Sequence, residues 1–223
     1  MSECIPRFPV TPDQVDAQWA LVEGGAVMAR QRRNALVLVD GVEHSRRCES
    51  GLGAVTNTAL LDVLMNLPLE DPVPVSGLSA REYAVLCRAP DGVVSHEDGC
   101  VVRHLSEPAS VSAAVVEANT WIHAQAALAA FSNVAQRVAV ISDMPTALSV
   151  PRWEADVAGI GIWTRLNGEL VEVIAPAPFA PRYRKPARWR FLENAYKQWL
   201  KATHPTSSSS FAEGRRVRTA DAG

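Results

Sequence analysis

The densest run of chemically able residues lies near the C-terminal end. Arg182, Arg184, Lys185, Arg188 and Arg190 crowd one short stretch, with Tyr183, Trp189, Phe191 and Tyr196 set among them. Cationic groups neutralise phosphates and flat rings stack on exposed bases, so the mixture can grip a nucleic-acid backbone. A plainer reading fits the same letters. Trp189, Leu192 and Tyr196 recur at helical spacing, so the aromatics can form a core stripe with the arginines on the wet face. A third reading is an acidic protein partner for the same cations.

Other chemistries lack their spacing. His44, His96, His104, His123 and His204 form no HxH, HxxxH or HExxH pattern, and His96-Glu97-Asp98 reads as a solvated loop rather than a metal site. Cys4, Cys48, Cys87 and Cys100 are scattered, with no CxxC, and read as free thiols in a reducing compartment. GxSxG is absent, and neither GxGxxG nor GxxxxGK[ST] follows a strand. Gly51-Leu52-Gly53 reads as a loop. No metal ligand set emerges, and no cofactor is expected.

The bulk properties narrow the class. The chain has 223 residues, 48% of them hydrophobic, enough for one domain with appendages or two small domains. A net charge of −2 excludes a general polyanion binder, so any nucleic-acid affinity must come from a local basic face. MSECIPRFPVTP lacks a basic-then-apolar leader, and no run approaches the ~20 apolar residues of a membrane span. The expectation is a soluble cytoplasmic protein without membrane association.

The elements that must position these residues can be read in order. Thr11-Pro12-Asp13-Gln14 opens a helix in which Val15, Trp19, Val22 and Ala26 recur at helical spacing, weakened at Gly24-Gly25. ALVLV (35–39), Asp40-Gly41 and VEHS (42–45) read as a two-residue hairpin. Arg30, Arg32, Arg33, Arg46 and Arg47 then read as solvated charge at element ends, with phosphate contact as the alternative. Asn57–Leu67 is a helix, and PLEDPVPVSG after it is a linker. Ser79-Ala80-Arg81-Glu82 is a capping box opening a helix to about Arg88. The LSxxEYxVL pattern also fits a winged-helix reading of 56–106, which lacks a recognition-type helix after it. VVS and CVVRHL are short β-runs, and a long helix is expected from about Ser110 to Gln136. RVAVIS (137–142) reads as a strand buried on both faces. Pro151–Val157 is a short helix, and Gly159–Trp163 begins a strand hairpinned at Asn167-Gly168. A final helix runs from about Pro186 to Ala202, and 204–223 is a disordered tail.

From the long helix to Arg190 the chain resembles the rear half of restriction-endonuclease-like (PD-(D/E)XK) proteins. The resemblance rests on Arg137–Ser142, Gly159–Trp163, Val171–Pro176 and Arg184–Phe191 and covers about 90 residues. It implies an acidic residue followed by Glu-x-Lys on a neighbouring strand, with the carboxylates holding Mg²⁺ and the Lys positioning water. In one register Arg103 and His104 replace the Glu and Lys. In the other, Asp156 precedes Glu172, but Ile174 replaces the Lys. The catalytic motif is incomplete, and Asp156 and Glu172 also read as surface charge.

The combined expectation is an α/β fold, with a mixed sheet flanked by helices (76–203), a smaller N-terminal α+β lobe (1–75) and the tail. The functional expectation is a nucleic-acid-associated protein that binds DNA or a DNA-processing complex through Arg182, Arg184, Lys185, Arg188 and Arg190. Two alternatives stand beside it. One is a regulatory or assembly protein docking on a protein partner through the basic aromatic helix. The other is an active endonuclease with a displaced lysine, the only case that calls for Mg²⁺.

Overall fold

The structure is a computed structural model that describes residues 20–28, 31–141, 149–166, 169–180 and 185–203. Strands β1 (Ala20–Met28) and β2 (Gln31–Val39) pair antiparallel, with a register shift between Val22 and Ala26. Gly24 sits in that shift at φ +62°, a conformation glycine adopts without a steric penalty. The helical reading of Val22 and Ala26 is therefore corrected: both are core residues of a strand. Its start at Thr11 lies outside the described residues.

Asp40-Gly41 does not turn a hairpin. It opens helix α1 (Gly41–Glu49), because the Asp40 carboxylate accepts from the amides of Val42 and Glu43 at 2.9 and 3.0 Å. A small lobe follows: α2 (Thr58–Met65), β3 (Pro72–Pro74), α3 (Ala80–Leu86), β4 (Val94–Glu97) and β5 (Cys100–Arg103). Asn57 caps α2, and Ser79 with Glu82 forms the expected capping box on α3. The strands pair antiparallel in the order β3-β5-β4. Helix, strand, helix and hairpin follow one another as in a winged helix, but turns fill the stretch between α3 and β4 where a recognition helix would stand.

The chain then returns to the main sheet with β6 (Ala109–Glu117), α4 (Trp121–Leu128), β7 (Gln136–Val140), α5 (Ser149–Ala158), β8 (Ile160–Leu166), β9 (Glu169–Ile174) and α6 (Pro186–Thr203). The expected long helix at 110–136 is thus a strand, a loop and a short helix. The apolar spacing misleads because β6 is buried on both faces: Val111 and Ala114 enter one core, Ala113 and Val115 another. Thr120 caps α4 and separates it from the strand.

The result is an α/β protein with a six-stranded mixed sheet in the order β1-β2-β6-β7-β8-β9. β6, β7 and β8 run parallel, and the other neighbours are antiparallel. Residues 167 and 168 lie outside the described residues, but β8 and β9 pair as a hairpin requires. One face of the sheet packs against α4, α5 and α6 through Trp121, Phe131, Ala155, Phe191 and Tyr196. The expected division at 75/76 does not follow the sheets, since β1 and β2 share the large sheet with β6–β9 and the small sheet straddles that point. No helix among the described residues is long and apolar enough to cross a membrane.

Candidate nucleic-acid interface

Helix α6 joins the two cores. Phe191, Leu192, Ala195 and Tyr196 enter the core of the large sheet, whereas Trp189 enters the core of the small lobe with Leu60, Leu64 and Val101. Trp189, Phe191 and Tyr196 therefore serve packing, and Tyr183 lies outside the described residues. Trp189 is 3% exposed and Tyr196 1%, so neither can stack on a base or dock on a partner. Tyr196 also shares a hydrogen bond of 2.8 Å with His44 Nδ1 on α1, and burial pushes its phenol up in pKa.

Between the cores lies a buried charge network. Arg47 on α1 is fully buried and donates to both oxygens of Glu193, at 2.8 and 2.9 Å, and to Glu43 at 2.6 Å. Glu193 also accepts from the Val55 amide at 2.7 Å and the Trp189 indole at 3.2 Å. Arg47 donates further to the Ser106 carbonyl at 2.9 Å. Arg47 is thus neither solvated charge nor a phosphate contact, the two roles its sequence position offered. The two carboxylates are pushed opposite ways. Burial drives Glu193 up against the pull of Arg47, while on Glu43 the hydrogen bonds from Arg46 and Arg47 outweigh burial and hold it down. This network can position α6 but cannot meet a ligand.

A cleft of about 1080 Å³ opens where the ends of β2 and β6 meet the small lobe. Leu38, Asp40, Glu107 and Ser110 line its sheet side, Met65–Leu69 and Arg103 its lobe side, and Lys185, Arg188 and Trp189 the start of α6. Arg103 is an anchor: it donates to the carbonyls of Leu64, Leu67 and Leu105 at 2.7 to 3.0 Å, closing the C-terminal end of α2, and stacks on Trp189 at 4.7 Å.

The predicted basic cluster divides. Arg182 and Arg184 lie outside the described residues. Lys185, just before α6, is exposed; on its first turns Arg188 is half-buried and Arg190 exposed. Arg188 donates to the Val134 carbonyl at 2.9 Å and lies over the Phe179 ring, while Arg190 donates to the Thr58 hydroxyl at 3.2 Å. Among the described residues neither meets a carboxylate, so both can face an outside anion.

Asp156 stands exposed on α5, and Glu172 is exposed on the edge strand β9. The structure does not bring either to the cleft. The other register fares differently: CVVRHL lies in the small sheet, where Arg103 anchors a helix and His104 turns to Glu70. Among the described residues no group of three or more His, Cys, Asp or Glu side chains could hold a metal ion.

No family model, curated protein or solved structure matches the chain.

Sequence reasoning passed over the sheet-side lining, Asp40 and Glu107, because Asp40-Gly41 looked like a turn. A signal was present: Glu43, Arg46 and Arg47 are spaced three and four apart, the spacing of ion pairs on one helix.

Proposed function

We propose that this is a nucleic-acid-associated protein with an endonuclease-like core and an incomplete catalytic motif, which holds DNA at the start of α6, where Lys185 and Arg188 line the cleft and Arg190 stands outside its lining. The observation that carries this reading is that, among the described residues, Arg188 and Arg190 pair with neutral oxygens, beside exposed Lys185. Cations held in place by uncharged acceptors are pre-positioned and still fully charged. The positive end of the α6 dipole points the same way. Arg182 and Arg184 extend the cluster in sequence.

Among the described residues the one aromatic lining the cleft, Trp189, is buried, so the contact is with phosphates, and sequence preference is weak. With Trp189 buried, a protein partner would have to use the same cations, which makes it the second reading rather than an equal one. An endonuclease using Asp156 and Glu172 has no support from their positions.

The test is binding of the full chain to duplex and single-stranded DNA across a salt series. Affinity should fall as salt rises, with a log–log slope shrinking by roughly 0.9 for each duplex phosphate contact removed. The double variant K185A/R190A should therefore lower the slope by about 2 and weaken all sequences alike. Absent binding, or binding indifferent to salt, rejects the proposal.

A further inference from the structure

The small sheet carries a second constellation, built from residues that the cleft does not use. We propose that Ser95, His104 and Glu70 form a nucleophile, base and acid relay that accepts an acyl group from small activated esters.

The three side chains stand in series. His104 Nε2 lies 2.9 Å from Ser95 Oγ, and His104 Nδ1 lies 2.9 Å from Glu70 Oε2. A carboxylate only accepts, so Nδ1 carries the ring proton and Nε2 is left as an acceptor. The Ser95 hydroxyl is then the donor to Nε2, the polarity that general-base activation of a serine requires.

The fold imposes this order from three separate elements. Ser95 on β4 pairs with Val102 on β5, which puts His104, two residues further along, on the same side of the sheet. Glu70 comes from the loop after α2, where its amide donates to the Arg103 carbonyl at 2.9 Å and Leu69 bridges to Arg103. Glu70 adopts φ +60°, a left-handed conformation uncommon outside glycine. Backbone of that kind recurs where a side chain is aimed for function. Solvent reaches the group, with the His104 side chain 29% exposed and that of Glu70 57%. β4 is the outer strand of its sheet, so alternate amides along it face away from β5 and can donate to a developing oxyanion.

The chemistry follows from those positions. Ser95 Oγ bonds to the ester carbonyl carbon while its proton passes to His104 Nε2, and the Glu70 carboxylate stabilises the imidazolium. The tetrahedral species collapses by breaking the bond to the leaving alkoxide, which takes the proton from Nε2. This leaves acyl-Ser95 and a free alcohol. Water then attacks the acyl carbon, giving its proton to Nε2, and Ser95 leaves with that proton, releasing a carboxylic acid. An open sheet face does not enclose a long acyl chain, so the class is small and unhindered.

The experiment uses the full chain with p-nitrophenyl acetate and with an alkyl fluorophosphonate, which transfers its phosphonyl group to an activated serine with loss of fluoride. Mass spectrometry should map one adduct to Ser95. The adduct should be absent in S95A and form at least tenfold more slowly in H104Q. E70Q keeps the side-chain shape and should slow the reaction to a lesser degree, which separates loss of the carboxylate from loss of the hairpin. The rate should fall in acid, a response that a merely structural histidine would not produce. No adduct on the wild-type chain, an adduct on another residue, or equal rates in wild type, H104Q and E70Q would overturn the proposal. These outcomes are independent of DNA binding, so the two proposals fail separately.

Discussion

Replacing Arg47 by Met tests how the molecule holds its two lobes together. The side chain is fully buried and the Glu193 side chain with it, so solvent cannot take over for either. In Arg47→Met, Glu43 keeps Arg46, which donates to it at 2.8 and 2.9 Å. Among the described residues Glu193 then keeps the Val55 amide and the Trp189 indole and loses its cation. The Ser106 carbonyl loses its donor as well. Breaking a buried pair from one side costs about 3–5 kcal/mol, because the surviving charge is stranded. That is a large share of the roughly 5–15 kcal/mol by which a domain is stable. Urea unfolding with linear extrapolation measures it, and the unfolding slope shows whether the two-state assumption holds. The control is Arg165→Ala. Arg165 pairs with Glu117 at 2.7 Å, but those side chains are 41% and 51% exposed, so its removal should cost under about 1 kcal/mol. Equal losses from the two substitutions would refute the reasoning, since Arg47 is buried with several partners and Arg165 is exposed and pairs with Glu117.

Four further outcomes are expected. Trp189→Ala should cost about 3–5 kcal/mol by emptying the small-lobe core and removing the ring under Arg103, read by thermal or urea unfolding. A change in partner capture without loss of stability would contradict that placement. Gly161→Ala should destabilise by about 1–3 kcal/mol, because a new Cβ would meet Pro176 Cδ and N at 2.8 Å; a neutral result in the same assay would show that this hairpin approach is looser. Glu193 and Glu43 should leave opposite marks on stability against pH. Glu43 is held below its ordinary 4.5, so its contribution is present above 4.5 and lost as pH falls through the folded value. Glu193 is pushed above 4.5, so its contribution is full below 4.5 and lost as pH rises through the folded value. Glu193→Gln should then abolish the decline above 4.5, and parallel wild-type and variant curves there would count against it. Asp40→Ala should cost about 1 kcal/mol through loss of the α1 cap, seen as a lower urea midpoint.

Local pattern was a sound guide wherever one interaction range decided the outcome. The Ser79–Glu82 capping box, the helix at 58–65, β7 and the amphipathic α6 each depend on neighbours three or four residues away or on a compact apolar run, and each stands where those signals put it. Pattern failed at β6 and at β1, where apolar residues spaced by four satisfied helix and strand alike. What separated them was the sheet itself: β6 is buried on both faces between strands from distant parts of the chain, and β1 pairs with β2 and sends Val22 and Ala26 into one core.

From its letters alone, then, this chain determined an α/β class, the ends of α2, α3, β7 and α6, and a cationic, aromatic last helix, because propensity, capping and periodicity act over a few residues. Tertiary structure decided which charges face water. Arg47 looked solvated and is fully buried, Trp189 looked available and is core, and Arg188 and Arg190 kept their charge. It also set Ser95, His104 and Glu70 in one hydrogen-bonded line. Most of these juxtapositions join residues tens of positions apart, as Arg47 and Glu193 or His104 and Glu70, and only the packed sheets and the helix that binds them bring those atoms into hydrogen-bond range.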